Sequence, residues 1–348
     1  MRSRVAQSGN AVHDLWLTGI LGVWLAIVAL YRLLFSFTVQ QTRAIRRVLI
    51  VGDTTRVNAV SARLLSRRGR RFEQLIAHPT VESLDLLRQQ QVWGVVVASD
   101  AENSVSERLL DYKLRGMKVI SDKAFLELYL GRIDPDTLTV NDLLLAEGFA
   151  AGRTSAAVKR SCDLIISVSM LIMTLPMMAL AALAIKLDSP GPVFYRQPRV
   201  GRLGQPFTLL KFRSMTVDAE AGGKPCWAQE QDPRVTKVGA FIRATHIDEL
   251  PQLANVIRGE MSLVGPRPER PHFVEQLALA IPFYRERSYA KPGLTGWAQV
   301  NFPYGASVED AREKLAYDLY YAKHSGLLLD LFILISTVRV VLFREGGH

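Results

Sequence analysis

Asp248 and Glu249 stand side by side in the stretch THIDELPQLANVIRGEMSLVGPRPERP, and further along it a single arginine, Arg267, is held between Pro266 and Pro268. An adjacent carboxylate pair close to a stiffened cation suits chemistry on an anion. An ionised aspartate beside electrophilic phosphorus is a nucleophile, and a neighbouring glutamate can hold Mg²⁺, which takes one or two carboxylates together with substrate phosphate oxygens. Attack of one anion on another needs neutralisation. Arg267 suits that task, because Pro268 biases it toward extended backbone and its guanidinium can meet two phosphate oxygens at once. Apolar Leu250, Leu253, Val256 and Ile257 recur at helical spacing and Gly259 ends the run, so Asp248 is predicted to cap a helix, with Glu249 and Pro251 in its first turn. A cap is worth about 1 kcal/mol and needs no further purpose. The two roles are compatible, since a helix N-terminus also favours a phosphate. Arg243 lies just upstream of the same helix start.

The elements that must position these residues can be read in part. FTLLKFRSM alternates like a strand delivering Lys211 and Arg213, and SPGPVFYRQPRVG sets Arg196 and Arg199 among Gly191 and Gly201. Earlier in the chain, RRVLIVGD reads as a buried strand ending in a glycine turn, followed by helical spacing in TRVNAVSARLLSRR. Strand-like runs recur over 93–99 and 117–121, with helical stretches over 81–90, 105–115 and 123–130. That alternation predicts an α/β chain with a parallel sheet, here a Rossmann-like accessory domain over 45–150. A dinucleotide site would require further glycines after Gly52; Asp53, Thr54, Thr55 and Arg56 stand there instead, so no bound dinucleotide is expected.

Three hydrophobic segments punctuate the chain. Residues 1–44 hold an uncharged run, LWLTGILGVWLAIVALY, predicted to form a transmembrane helix over about 15–37. Arg32, Arg43, Arg46 and Arg47 after it, against Arg2 and Arg4 before it, lean toward a cytoplasmic body. The second, SCDLIISVSMLIMTLPMMALAALAIKL, has Pro176 at its middle and basic residues at both ends. By composition alone it is a hairpin that dips in and returns, a kinked transmembrane helix or a buried core helix. The third, SGLLLDLFILISTVRVVLF, carries Asp330 and Arg339 and suits an interfacial or packing helix better than a span.

At 348 residues the chain has room for two domains, and it is 49% hydrophobic while carrying a formal charge of +10. Greasy and basic together indicate a lipid bilayer as partner. Nucleic acid is disfavoured, because the cations are dispersed and no binding motif accompanies them. Cys162 and Cys226 stand in unrelated contexts and make neither a disulfide framework nor a metal site, so a reducing compartment is expected.

KFRSM, DPRVTKVGAFIRATHIDELPQLANVIRGEMSLVGPRPE and YAKPGLTGWAQVN, in that order, resemble the signature blocks of the monotopic polyprenyl-phosphate phosphoglycosyl transferases, the bacterial sugar transferases that initiate exopolysaccharide and O-antigen synthesis. The resemblance covers roughly 156–343. It implies a mixed α/β catalytic domain over 151–348 with a re-entrant membrane helix at about 158–187, broken at Pro176, so that both ends stay on the cytoplasmic side of the inner membrane. It implies transfer of a hexose-1-phosphate from a UDP-hexose to undecaprenyl phosphate with release of UMP, in two steps through a sugar-phosphate adduct on Asp248. Glu249 would serve Mg²⁺, and Arg243, Arg267, Lys211 and Arg213 match phosphate-contacting positions. Glucose or galactose is the family's usual sugar, and a homodimer through the middle domain is compatible with it. Larger relatives carry several transmembrane helices where this chain has one. Many also carry an arginine soon after Gln299-Val300-Asn301, where this chain has NFPYGASVED, which bears on sugar recognition. The alternative is a non-catalytic membrane scaffold or regulator of polysaccharide assembly.

Overall fold

The structure, a computed structural model, describes residues 45–64, 72–77, 92–98, 103–146, 148–149, 152–220, 232–302, 305 and 307–343. The transmembrane helix expected over 15–37 and the helix expected over 81–90 lie outside these residues. The chain divides into two compact units, Met1–Asp122 and Lys123–His348.

The first unit is built on four parallel strands in the order β2-β1-β3-β4, with β1 Arg46–Val51, β2 Phe72–Ala77, β3 Gly94–Val97 and β4 Lys118–Ser121. Val48, Leu49, Ile50 and Val51 are fully buried, as a continuous apolar run in a central parallel strand must be. Helices α1 (Thr54–Leu64) and α2 (Asn103–Leu114) supply crossovers, α1 turning Val57, Val60 and Leu64 inward. Gly52 packs closely, since a Cβ there would stand 3.0 Å from Ala98. The Asp53 carboxylate accepts the Arg56 amide at 2.9 Å and so caps the start of α1.

The boundary falls earlier than residue 150. The segment after β4 is fastened to the second unit. Trp297 Nε1 donates to the Gly131 carbonyl at 2.7 Å, buried Arg132 pairs with Glu313 at 2.7 Å, the Ile133 amide reaches Ala316 O, and Glu127 receives Lys323 and His324 at 2.6 and 2.7 Å. These partners lie far away in sequence, so composition gives no sign of them.

The second unit opens with α3, Arg153–Asp188. It continues through the β5 (Phe194–Val200) and β6 (Pro206–Phe212) antiparallel hairpin, α4 (Lys237–Ala244) and α5 (Gln252–Arg258). A parallel pair, β7 (Ser262–Val264) and β8 (Gly293–Thr295), brackets α6 (Pro271–Ala280), and α7 (Trp297–Asn301), α8 (Val308–His324) and α9 (Leu327–Phe343) close the chain. One core gathers Leu253, Val256, Leu263, Trp297, Tyr317, Tyr321 and Ile333; another packs Phe273, Leu277, Ile281 and Tyr284 against Leu315 and Leu319.

Helix α3 differs from the expectation at Pro176. The helix continues through the proline instead of breaking, because proline's fixed φ is helix-compatible and only one backbone bond is forgone. At 36 residues it is about 54 Å long, and among the described residues it is the one helix long and apolar enough to cross a bilayer. Both of its ends are tied to the same unit. Near the start, Lys159 pairs with Asp330 at 2.5 Å, Arg160 donates to Val256 O and Ile257 O at 2.6 Å each, and Asp163 accepts Ser262 Oγ and the Leu263 amide. At the end, Asp188 accepts the Val238 amide and Ile185 packs with Phe212 and Ile242. Between them Ile165, Ile172, Met173, Leu175, Leu180 and Leu183 are exposed. The Asp330 charge that disfavoured a span in α9 is buried against Lys159, and α9 packs on the core through Ile333.

Candidate active site

Strand β6 carries Lys211 opposite Tyr195 of β5. Its ammonium reaches Glu249 Oε1 at 2.6 Å and stands 4.0 Å from Asp248 Oδ2. The carboxylate pair is presented by a sharp reversal. Thr236 caps α4 by accepting the Gly239 amide, α4 ends at Ala244, and His246 adopts left-handed backbone (φ 59°), a strained choice for a non-glycine residue. A single 3-10 turn, Ile247–Glu249, follows and drives Asp248 inward to 8% exposure. Asp248 is therefore not the helix cap expected from the apolar spacing. Pro251, with φ −60°, occupies that position and α5 begins at Gln252, so the acids sit in the turn before the helix. Gly259 does end α5, in left-handed backbone with φ 89°.

The two acids are treated differently by their surroundings. Burial pushes the Asp248 carboxyl up from its ordinary value, with Lys211 the strongest opposing influence. Among the described residues its oxygens accept no hydrogen bond. Burial works in the same direction on Glu249, but there direct contact with Arg267 and Lys211 wins and holds the carboxyl well below the usual range. Arg267 Nη2 donates to the same Glu249 Oε1 at 2.8 Å, and Glu249 in turn raises the Arg267 guanidinium above the ordinary arginine value.

Arg267 is aimed by a loop whose carbonyls are all engaged. Pro266 O accepts the Gly293 amide at 2.9 Å, Arg267 O accepts Arg287 Nη2 at 3.0 Å, Pro268 O accepts Arg199 Nη1 at 2.9 Å, and Glu269 O accepts the Val200 amide at 2.9 Å. Gly265 lets the loop pass against β8, since a Cβ there would lie 2.1 Å from Lys291 O. Beside Arg267 opens a cavity of about 460 Å³, walled by Pro268, Glu269, Arg285, Arg287 and Ser288.

The profile of the bacterial sugar transferase family matches residues 154–344, which contain all of this site. The chain belongs to that family. It is 43% identical over 284 residues to the UDP-N-acetylgalactosamine-undecaprenyl-phosphate N-acetylgalactosaminephosphotransferase of Aeromonas hydrophila, an overlap of 80% of this chain and 66% of that protein. A UDP-glucose:undecaprenyl-phosphate glucose-1-phosphate transferase of Caulobacter vibrioides is 44% identical over 192 residues, 55% of this chain and 72% of its own. The protein of that name from Escherichia coli is 43% identical over 182 residues, 52% and 39%. The chain thus spans a little under two thirds of the first of these relatives and well under half of the last.

Within this sugar transferase, four of the residues singled out in the sequence come together: Asp248, Glu249, Lys211 and Arg267. Arg213 does not join them. β6 ends at Phe212, and the Arg213 guanidinium turns back to Ser189 O and Pro190 O at 2.7 and 2.8 Å, where the carbonyl end of α3 attracts a cation. Gly191 makes room for it, as a Cβ there would lie 2.1 Å from Arg213 Nη1. Arg243 lies in the last turn of α4, half-buried, with no ion pair among the described residues. Arg287, and Tyr284 and Asp318, which hold it at 2.9 and 2.7 Å, were not foreseen from the sequence. Tyr284 and Arg287 sit between the recognisable blocks and Asp318 beyond the last of them, and their long-range pairing leaves no periodic signal.

Proposed function

We propose that the protein transfers a sugar-1-phosphate from a UDP-sugar to undecaprenyl phosphate, releasing UMP, as the first membrane step in building an exopolysaccharide or O-antigen. The observation that carries this reading is a buried carboxylate, Asp248, that no hydrogen bond among the described residues ties down, beside a second carboxylate neutralised by two cations. Desolvated and unbonded, Asp248 is a nucleophile that need not shed a shell of donors. An Asp248 oxygen forms a bond to the β-phosphorus of the UDP-sugar while the bridging P–O bond breaks, and its electron pair leaves with UMP. An oxygen of the lipid phosphate then attacks the same phosphorus, and the Asp248 carboxylate is released. The names of these three relatives, transferases to undecaprenyl phosphate from an N-acetylgalactosamine or a glucose nucleotide, fit this chemistry.

Charge balance favours Mg²⁺ as cofactor. Lys211 and Arg267 offset Asp248 and Glu249 one for one, so these four groups together carry no net positive charge toward a diphosphate. No group of three metal-ligating side chains occurs among the described residues, so Glu249 fits a magnesium ion only as a partial site completed by substrate phosphate oxygens. When bound there the ion would supply positive charge to the diphosphate; Glu249 would hold it through the oxygen not shared by Lys211 and Arg267.

Fastening both ends of α3 to one unit favours a catalytic body on one face of the membrane, with α3 dipping into the lipid. We place that face in the cytoplasm, at the inner membrane, where nucleotide sugars are, and keep a homodimer through the first unit within the proposal. The scaffold alternative makes the opposite forecast in a direct assay. The full chain in vesicles containing undecaprenyl phosphate should release many equivalents of UMP from at least one of UDP-glucose, UDP-galactose and UDP-N-acetylgalactosamine, with release beyond the first equivalent dependent on the lipid phosphate, and Asp248→Asn should abolish it. Absence of turnover across the panel, or equal turnover in Asp248→Asn, would sink the reading.

A further inference from the structure

Arg267 contacts Glu249 through one nitrogen only, and its side chain is 44% exposed, so packing does little to fix its direction. Its aim depends on its backbone. The flanking prolines have no N–H to donate, and the loop 266–269 is instead held by its carbonyls. Two of these four contacts are made by other backbone amides and one by Arg199. The fourth, on the carbonyl of Arg267 itself, is made by Arg287.

Arg287 is itself immobilised. Nη2 lies 3.0 Å from Arg267 O and 2.7 Å from Asp318 Oδ2, Nη1 donates to Tyr284 Oη at 2.9 Å, and the guanidinium stands 5.3 Å from the centre of the Tyr284 ring. The side chains of Arg287 and Asp318 are 12% and 2% exposed. A buried ion pair of this kind is a poor stabiliser compared with apolar residues of equal volume. It earns its place here by delivering a planar donor to a carbonyl with no other partner among the described residues. Lysine, with a single point of attachment, cannot serve Asp318, Tyr284 and Arg267 O together.

We propose that Arg287 is a positioning residue for the transfer reaction: clamped by Asp318 and Tyr284, it fixes the Arg267 peptide so that the Arg267 guanidinium meets the phosphate oxygens as charge develops on them. The inference rests on the phosphotransferase reading of the Asp248 site. It separates Arg287 from residues that merely support the fold, because its effect must travel through Arg267.

The test is a double-mutant cycle on the full chain in undecaprenyl-phosphate vesicles, reading single-turnover UMP release with the UDP-sugar the wild type uses. Arg287→Gln and Arg287→Lys should each lower the rate about 100-fold, the cost of misplacing a catalytic group by about 1 Å. In an Arg267→Gln background the same substitutions should change the rate less than threefold. Thermal melting identifies variants that fail to fold, and Arg287→Lys, which keeps the charge, supplies the cycle if Arg287→Gln does. Equal losses in both backgrounds would show that Arg287 acts on the fold at large, and an unchanged rate in the wild-type background would show that Arg267 needs no clamp; either overturns the proposal. A wild type that releases no UMP, or whose release beyond the first equivalent does not depend on lipid phosphate, would instead overturn the phosphotransferase reading, and the positioning role would fall with it.

Discussion

Lys211→Met tests the electrostatics of the site at its centre. Methionine keeps the length of the buried stem and deletes only the charge. Lys211 Nζ lies 4.0 Å from Asp248 Oδ2, and two unit charges at that separation attract by about 4 kcal/mol at an effective dielectric near 20. Glu249, at 2.6 Å, loses a closer contact but keeps Arg267. Removing one member of a buried charge cluster costs about 3 to 5 kcal/mol of stability, and the second cation on Glu249 should keep the loss toward the lower end. The sharper consequence concerns Asp248. Burial raises its carboxyl and Lys211 is the strongest influence pulling it down, so without Lys211 it titrates higher still. Only the carboxylate attacks phosphorus, so the acid limb of kcat/KM for UMP release should move to higher pH in Lys211→Met. The measurement is the pH dependence of UMP release at UDP-sugar well below KM, alongside melting curves at each pH. If activity falls by the same factor at every pH, or the limb moves down, Lys211 does not set the charge of Asp248.

Three further expectations follow from single contacts. Asp318 is pushed up to about 6 by burial from an ordinary value of 3.8, so the folded state binds its proton more tightly than the unfolded one. The penalty is absent below about pH 3.8 and fully present above about 6, worth about 3 kcal/mol, so stability should fall as pH rises through that window. Asp318→Asn, compared with wild type by denaturant melts at pH 5 and 7.5, should lack this component; an identical pH dependence would count against it. Arg213→Gln should cost about 1.5 to 3 kcal/mol of stability by releasing the carbonyls that follow α3, with kcat/KM nearly unchanged, and a large rise in KM at undiminished stability would return Arg213 to the substrate. Gly265→Ala puts a Cβ 2.1 Å from Lys291 O, a backbone atom that cannot step aside, and should lower both the melting temperature and turnover by displacing Arg267; wild-type values for both would refute the close approach.

What the sequence disclosed and withheld has physical causes. β1 and β3 carry unbroken runs of Val, Leu and Ile, legible because a buried parallel strand needs apolar residues on both faces, whereas the edge strand β4 is only half-buried and shows itself by Val119 and Ile120 alone. β2, FEQLIA, escaped notice because Glu73 and Gln74 interrupt that pattern. Lys211 and Arg213, two apart, would share a face if the strand ran on; β6 stops at Phe212, and the second cation serves a helix end instead. The apolar spacing from Leu250 to Ile257 located α5 correctly but not its start, since a left-handed His246 and a proline at the cap position shift the acids into the preceding turn. Arg287 could not be found, because its importance lies in a contact twenty residues away with a carbonyl, a group every residue has.

The most direct test of the central claim is the intact mass of the full chain after exposure to UDP-sugar and Mg²⁺ without lipid acceptor. A nucleophilic Asp248 requires a mass increase of one sugar phosphate, mapped to the peptide containing Asp248, with one equivalent of UMP released and neither event in Asp248→Asn. UMP release that appears only when lipid phosphate is present, with no adduct trapped in its absence, would contradict it.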